Sequence, residues 1–169
     1  MRVLAGDTAC YAELVQSHSR PLFNLAFRLT GDRHDAEELV QESFIRAYEN
    51  LDRYNVKKPF FPWLYTIALN RIRDRLKTRK PVQGHDGDPA SPAPGPSDQV
   101  GKQERDALLQ QAVRELPEKL REPLALRFFQ ELSFGEIAEI LEISVNSAKK
   151  RVYRGLEQLR SSVGSELFE

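Results

Sequence analysis

The sequence predicts an all-α protein of two small helical domains joined by a loose connector. Three observations carry that expectation. Apolar residues recur at three- and four-residue spacing on both sides of the chain's middle. No stretch alternates apolar and polar residues as a half-buried strand would. Between the two periodic regions, PVQGHDGDPASPAPGPSDQVGKQ (residues 81–103) holds five prolines and four glycines and offers almost nothing to bury.

Three helices are expected before the connector. The first places Tyr11, Leu14, Val15 and His18 on one face, is interrupted at Pro21, and resumes with Leu22, Leu25, Ala26 and Leu29 up to Thr30-Gly31. The second opens at Asp32, a residue suited to cap free backbone N–H groups, and carries Ala36, Leu39, Val40, Phe44, Ala47, Tyr48 and Leu51. After a break from Asn55 to Pro62, Trp63, Leu64, Ile67, Ala68, Ile72 and Leu76 form the stripe of the third. After the connector, Leu108, Leu109, Ala112, Val113 and Leu116 give one helix, stopped by Pro117. Leu120 to Phe129 give another, expected to start near Arg121 or Glu122 so that Pro123 falls in its first turn, where a missing N–H costs nothing.

The segment SFGEIAEILEISVNSAKKRVYRGLEQLR (residues 133–160) has the clearest chemistry. Ser133 and Glu136 have capping-box spacing, Ile143 is the expected buried pin of a tight turn, and Ala148, Val152, Leu156 and Leu159 give the last helix its apolar face. A short acidic helix, a three-residue turn and a basic helix make a helix-turn-helix, whose second helix enters the major groove of DNA. Its candidate contacts are Ser147, Lys149, Lys150, Arg151, Tyr153 and Arg154. A glycine is common where Glu142 stands in such turns.

Charge supports a polyanionic partner. The net charge is zero, yet Lys and Arg against Asp and Glu number 14 and 10 over residues 1–80, 1 and 3 over 81–103, and 10 and 12 over 104–169. Arg71, Arg73, Arg75, Lys77, Arg79 and Lys80 meet only Asp74 in their stretch, and Lys149, Lys150, Arg151 and Arg154 meet no acid. Two basic segments so far apart predict two contacts with nucleic acid. The lone Cys10 and three scattered histidines suggest neither an internal disulfide nor a metal site, and no cofactor is implied. Neither a spanning segment nor a signal peptide is expected, which places the protein in the cytoplasm. Glu37, Glu38 and Glu42 fall on one exposed helix face with no histidine partner or glycine-rich loop, so an enzyme is not expected.

Both halves resemble the extracytoplasmic-function group of the sigma-70 family. The matching phrases run from GDTACYAELVQSHSRPLFNLAFRLTGDRHDAEELVQESFIRAYENLDRY through FFPWLYTIALNRIRDRL to LPEKLREPLALRFFQELSFGEIAEILEISVNSAKKRVYRGLEQLR. DAEELVQESF followed at this separation by WLYTIALN is far more specific than a helix-turn-helix alone. No segment resembles the domain that larger members carry between these two.

The resemblance implies domain 2 at residues 1–80, a flexible linker at 81–103 and domain 4 at 104–169. It implies that the second helix docks on the clamp coiled coil of core RNA polymerase through Asp35, Glu38, Leu39, Gln41, Glu42, Ile45, Arg46 and Glu49. Tyr54, Lys57, Lys58, Phe60, Phe61, Asn70, Arg71 and Arg73 would open and read the −10 promoter element, with Asn70 near a flipped base. That set has the rings and cations that melted DNA requires; Trp63 reads more naturally as core. Domain 4 would bind the −35 element through the recognition-helix residues named above. An anti-sigma factor, often membrane-anchored in this family, is an implied partner, and direct membrane insertion is not. The alternative reading is a helix-turn-helix regulator that acts without being a polymerase subunit, although the first half supplies neither a receiver-like pattern nor a heptad seam for it.

Overall fold

The computed structural model describes the backbone of residues 8–78 and 98–163, and side chains over 11–78 and 107–162. Seven α-helices are present among these residues: α1 (Thr8–Thr30), α2 (Arg33–Glu49), α3 (Phe60–Thr78), α4 (Asp98–Glu115), α5 (Glu118–Phe129), α6 (Phe134–Ile140) and α7 (Val145–Val163). A single 3₁₀ turn at Leu51–Arg53 follows α2. No strand occurs among the described residues.

The first three helices pack on one another as their stripes require. Leu22, Leu25, Ala26 and Leu29 of α1 meet Ala36, Leu39, Phe44 and Ala47 of α2 and Leu64, Tyr65, Ala68, Leu69 and Ile72 of α3, all buried. Asp32 caps α2 by accepting from the Asp35 N–H at 3.0 Å. Gly31 at φ +72 supplies the left-handed residue that turns the chain between α1 and α2. Pro21 does not restart α1, which is continuous through it. Ser17 and Ser19 just before it turn their hydroxyls back onto the carbonyls of Glu13 and Val15.

In the second half, Ala112 and Val113 of α4 and Leu116 just after it pack with Leu124 of α5 and Leu159 of α7. The helix α5 starts at Glu118, earlier than Arg121, with Pro117 at its N-cap, so Pro123 lies inside it. A proline there forfeits one backbone hydrogen bond, and the carbonyl left over belongs to Lys119, an exposed residue; Pro123 itself is buried. Gly155 of α7 allows close approach to α5, since a Cβ there would lie 2.9 Å from Leu124 Cδ1. The connector expected to reach Gln103 gives way to α4 at Asp98, and residues 79–97 lie outside the described residues.

The halves, expected as two small domains on a loose connector, are packed together. One continuous core runs from Leu22, Tyr65 and Leu69 of the first half to Ala125, Leu126, Leu132, Ile137, Ile140 and Ala148 of the second. Polar contacts follow the same seam. The Tyr65 hydroxyl donates to Gln130 Oε1 at 2.8 Å, the Thr66 hydroxyl to the Ile140 carbonyl at 3.2 Å, and the Arg28 guanidinium lies 3.8 Å from the centre of the Phe129 ring. Burial raises the Tyr65 hydroxyl pKa above its ordinary value, so it stays a neutral donor.

Candidate polymerase and nucleic-acid interfaces

The exposed side of α2 is the first candidate surface. Glu38, Gln41, Ile45 and Glu49 recur on one stripe, at about 100° per residue, opposite buried Ala36, Ser43 and Ala47. Ile45 is 59% exposed at the centre of that stripe. Leu39, assigned to this surface by the resemblance, is instead 1% exposed and belongs to the core, because its position points at α1 and α3. At the edge facing α3, Arg75 gathers three carboxylates: its Nη1 lies 2.5 Å from Asp35 Oδ1 and 2.9 Å from Glu38 Oε2, and its Nη2 3.3 Å from Glu42 Oε1. These bonds hold the Arg75 guanidinium pKa above its ordinary value, the Glu38 bond most. One cation thus fixes the rotamers of an acidic row that would otherwise repel itself.

The −10 candidates separate into two clefts and a supporting cluster. One cleft of about 270 Å³ is lined by Arg46, Asn50, Arg53, Trp63, Ile67, Asn70 and Arg71. It has the size and chemistry for one unstacked base: an indole and an isoleucine for a ring face, two carboxamides for base edges, and three guanidinium groups for phosphates. Arg71 is held by Asp74 at 2.6 Å and Asn70 accepts from Arg73 Nη1 at 3.0 Å, so the helix itself orients both. Asn70 and Arg71 were legible in the sequence. Asn50, Arg53 and Trp63 were not, and Arg46, assigned to polymerase, turns to this cleft.

A second cleft, also about 270 Å³, lies between the halves and is lined by Arg53, Tyr54, Asn55, Lys58, Pro59, Pro62, Trp63 and Thr66 with Glu139 and Glu142 of the second half. Tyr54, Phe60 and Trp63 form one ring cluster, with Tyr54 5.6 Å from Phe60 and 5.0 Å from Trp63 between ring centres. The Tyr54 hydroxyl donates to the Lys58 carbonyl, closing the loop ahead of α3. Trp63 is therefore both packed and partly open, and together with Arg53 it lines both clefts. Phe61 is a support for the core, 4.3 Å from the Tyr65 ring, and Lys57 is exposed away from either cleft's lining. His18 sits under Phe60 and Phe61, 6.1 and 5.8 Å away, and burial lowers its pKa. Arg73 leaves the clefts altogether and pairs with Glu122 of α5.

The helix-turn-helix is formed as its capping signals require. The Ser133 hydroxyl accepts from the Glu136 N–H at 3.3 Å, and Glu136 Oε2 accepts from the Ser133 N–H at 2.8 Å. The Ser133 hydroxyl also donates to Glu136 Oε2 at 2.7 Å, and that bond, with the one from the Ser133 N–H, lowers the Glu136 carboxyl pKa. Glu142 adopts φ +54 in the turn, taking the left-handed conformation a glycine would take freely. Ile143 then bonds the Ala138 carbonyl through its N–H at 3.0 Å and packs on the core half-buried.

Opposite the buried Ala148, Val152 and Leu159, α7 presents Asn146, Lys150, Tyr153, Arg154 and Glu157 outward. Ser147 and Arg151 are half-buried at one edge of this face, and the Ser147 N–H is capped by the Ser144 hydroxyl at 3.2 Å. Lys149 lies at the other edge, 5.8 Å from the Phe134 ring centre, and Phe134 also touches Tyr153 at 6.3 Å. Asn146, exposed on the same face, is not among the residues named from the sequence. Its signal was its place in the first turn of the recognition helix, where side chains reach base edges.

Residues 14–82 match the family model for sigma-70 region 2, and residues 106–159 that for sigma-70 region 4. The ECF RNA polymerase sigma factor SigW of Bacillus subtilis is 36% identical over 96% of this chain and 93% of its own length. The RNA polymerase sigma-H factor of Pseudomonas aeruginosa is 30% identical over 99% of this chain and 93% of its own. Among solved structures, CnrH in complex with the cytosolic domain of CnrY superposes with a TM-score of 0.77 over 98% of this chain and 94% of that one at 23% identity, and so supports the fold. Two region models in this order, and a relative matched along nearly its whole length, show that the chain belongs to the extracytoplasmic-function sigma factors of the sigma-70 family, the subunits that direct RNA polymerase to promoters and start transcription.

Proposed function

We propose that residues 1–80 act as sigma domain 2, binding the clamp coiled coil of core polymerase through the exposed face of α2 and the melted −10 element through the clefts on either side of Trp63. Residues 104–169 act as domain 4 and read the −35 element as duplex, and residues 81–103 join them. The observation that carries this reading is the cleft of Arg46, Arg53, Arg71, Asn50 and Asn70 around Trp63, a base-sized recess with three cations at its rim. The factor is a non-catalytic specificity subunit, and bond making belongs to the polymerase.

An anti-sigma factor completes the set of partners. One structural relative, the sigma factor RpoE of Bartonella quintana, was solved in complex with the anti-sigma factor NepR, which supports a protein partner of that kind for this chain. Among the described residues no helix is long and apolar enough to cross a membrane. The factor works in the cytoplasm, and an anti-sigma factor anchored in the inner membrane would hold it there until the inducing signal arrives. The test is run-off transcription with purified core enzyme on a promoter library. Promoter-specific transcripts that need both proteins support the reading; sequence-specific DNA binding by the factor alone, with no transcripts, would return the chain to the class of free-standing regulators.

A further inference from the structure

We propose that Arg75 of α3 is a positioning residue for polymerase binding: it grips Asp35, Glu38 and Glu42 so that the acidic row of α2 is already set to meet cations on the clamp. The inference rests on the reading of α2 as the docking face.

By sequence Arg75 belongs to the basic stretch that begins at Arg71. The fold takes it out of that group. It stands in the last turn of α3 and turns to α2, where Nη1 meets Asp35 Oδ1 and Glu38 Oε2 and Nη2 meets Glu42 Oε1. The three carboxylates sit at i, i+3 and i+7 of one helix, so they form a single stripe. A guanidinium spreads two donor nitrogens across such a row, where a lysine has one.

The exposures of the three acids divide their roles. The Asp35 side chain is 17% exposed and anchors Arg75 from inside, while those of Glu38 and Glu42 are 42% and 48% exposed and remain open to a partner. Glu38 and Glu42, four residues apart, repel each other and would swing apart without a cation between them. Arg75 takes one oxygen from each, and three carboxylates to one guanidinium leave the row negative. Exposed Ile45, three residues beyond Glu42, supplies the apolar contact beside it. The face is therefore built for a partner that offers cations around a small apolar patch.

Two effects of Arg75 on that partner have opposite signs. Its positive charge weakens the attraction of the row for cations. Its grip orders two long side chains in the free protein, and that ordering opposes association when it has to happen on contact. The proposal requires the second effect to win, so the sign of the change on removing Arg75 decides it.

The test titrates the fluorescein-labelled full chain with purified core enzyme. Arg75→Gln should weaken binding at least about five-fold, the scale set by ordering two glutamates. Arg75→Lys, which keeps the charge and loses the fork, should show a smaller loss and carries the test if Arg75→Gln does not fold. In a Glu38→Gln/Glu42→Gln background, itself weaker than the parent, neither Arg75 variant should have a further effect. A merely structural link would act through Asp35, which that background retains, and would weaken binding equally in both backgrounds. Tighter or unchanged binding on losing Arg75 from the parent, or an equal loss in the two backgrounds, would overturn the proposal. Ile45→Glu in the same titration separates the two readings. If it weakens binding and the Arg75 variants do not, α2 remains the docking face and only the positioning role fails; if neither Ile45→Glu nor Glu38→Gln/Glu42→Gln changes affinity, the docking reading fails and the proposal with it.

Discussion

Arg73 of α3 and Glu122 of α5 form a two-pronged ion pair across the seam between the halves, with Nε 2.7 Å from Oε1 and Nη2 2.6 Å from Oε2. Glu122 is 5% exposed, so its charge is tolerable only while the guanidinium neutralises it. The pair ties a residue of the expected −10 set to a helix of the other half.

Removing one partner should cost more than removing both. Arg73→Met leaves a buried carboxylate alone and should lower unfolding stability by about 2 kcal/mol, scaled down from a fully buried pair because Arg73 is partly exposed. Arg73→Met/Glu122→Leu should recover most of that loss. Urea unfolding of the three proteins measures both steps, and a double variant weaker than the single would show that the pair is not the source of the cost.

Ile45 is exposed in the free factor, so Ile45→Glu should leave the melting temperature nearly unchanged. If the α2 face docks on polymerase, the same change puts a charge at the centre of a buried patch and should weaken binding to core enzyme by about 2 kcal/mol or more. A titration of labelled factor with core enzyme reads this; parental affinity would remove α2 from the docking role.

On α7 the geometry separates bases from backbone more finely than charge alone does. Asn146, Lys150 and Arg154 lie on the outward face and should read base edges, so alanine at one of them should cost about 1–3 kcal/mol and relax preference at one promoter position. Lys149 and Arg151 lie at its edges, where alanine should weaken all sequences alike. Selection from a randomised −35 element with each variant holoenzyme distinguishes the two patterns.

Burial under Phe60 and Phe61 lowers the His18 pKa below its ordinary 6.5. The unfolded chain then binds the proton more readily than the folded one, so stability is whole above the unfolded pKa and declines as pH falls below it. Melting curves from about pH 7.5 to about pH 5.5 should show this loss, and His18→Gln should flatten the part of it due to this residue. An unchanged slope in the variant would place the titrating group elsewhere.

Much of the molecule was legible in order of sequence. The stripes of α1, α2 and α3, the Asp32 cap, the Ser133–Glu136 box and the basic face of α7 are local, set by spacing within one helix and by bonds between residues three or four apart. Ile45 could be placed on the surface for the same reason. Some of the readings that changed concern neighbours distant in the chain: Leu39 is core because α1 and α3 cover it, and Arg46 lines one cleft with Asn70. Others are local: Phe61 packs on Tyr65 four residues further along α3, and Pro21 and Pro123 are accommodated inside α1 and α5.

The sequence by itself determined the helices, the two cation-rich segments and the connector's composition, because periodicity, capping and charge runs are properties of contiguous residues. Only the tertiary structure decided which cations are available. Arg73 and Lys58 look alike as free positive charges on paper, yet each meets a carboxylate separated from it by 49 and 81 positions, and no pattern in the chain records which side chains a fold will bring within 3 Å.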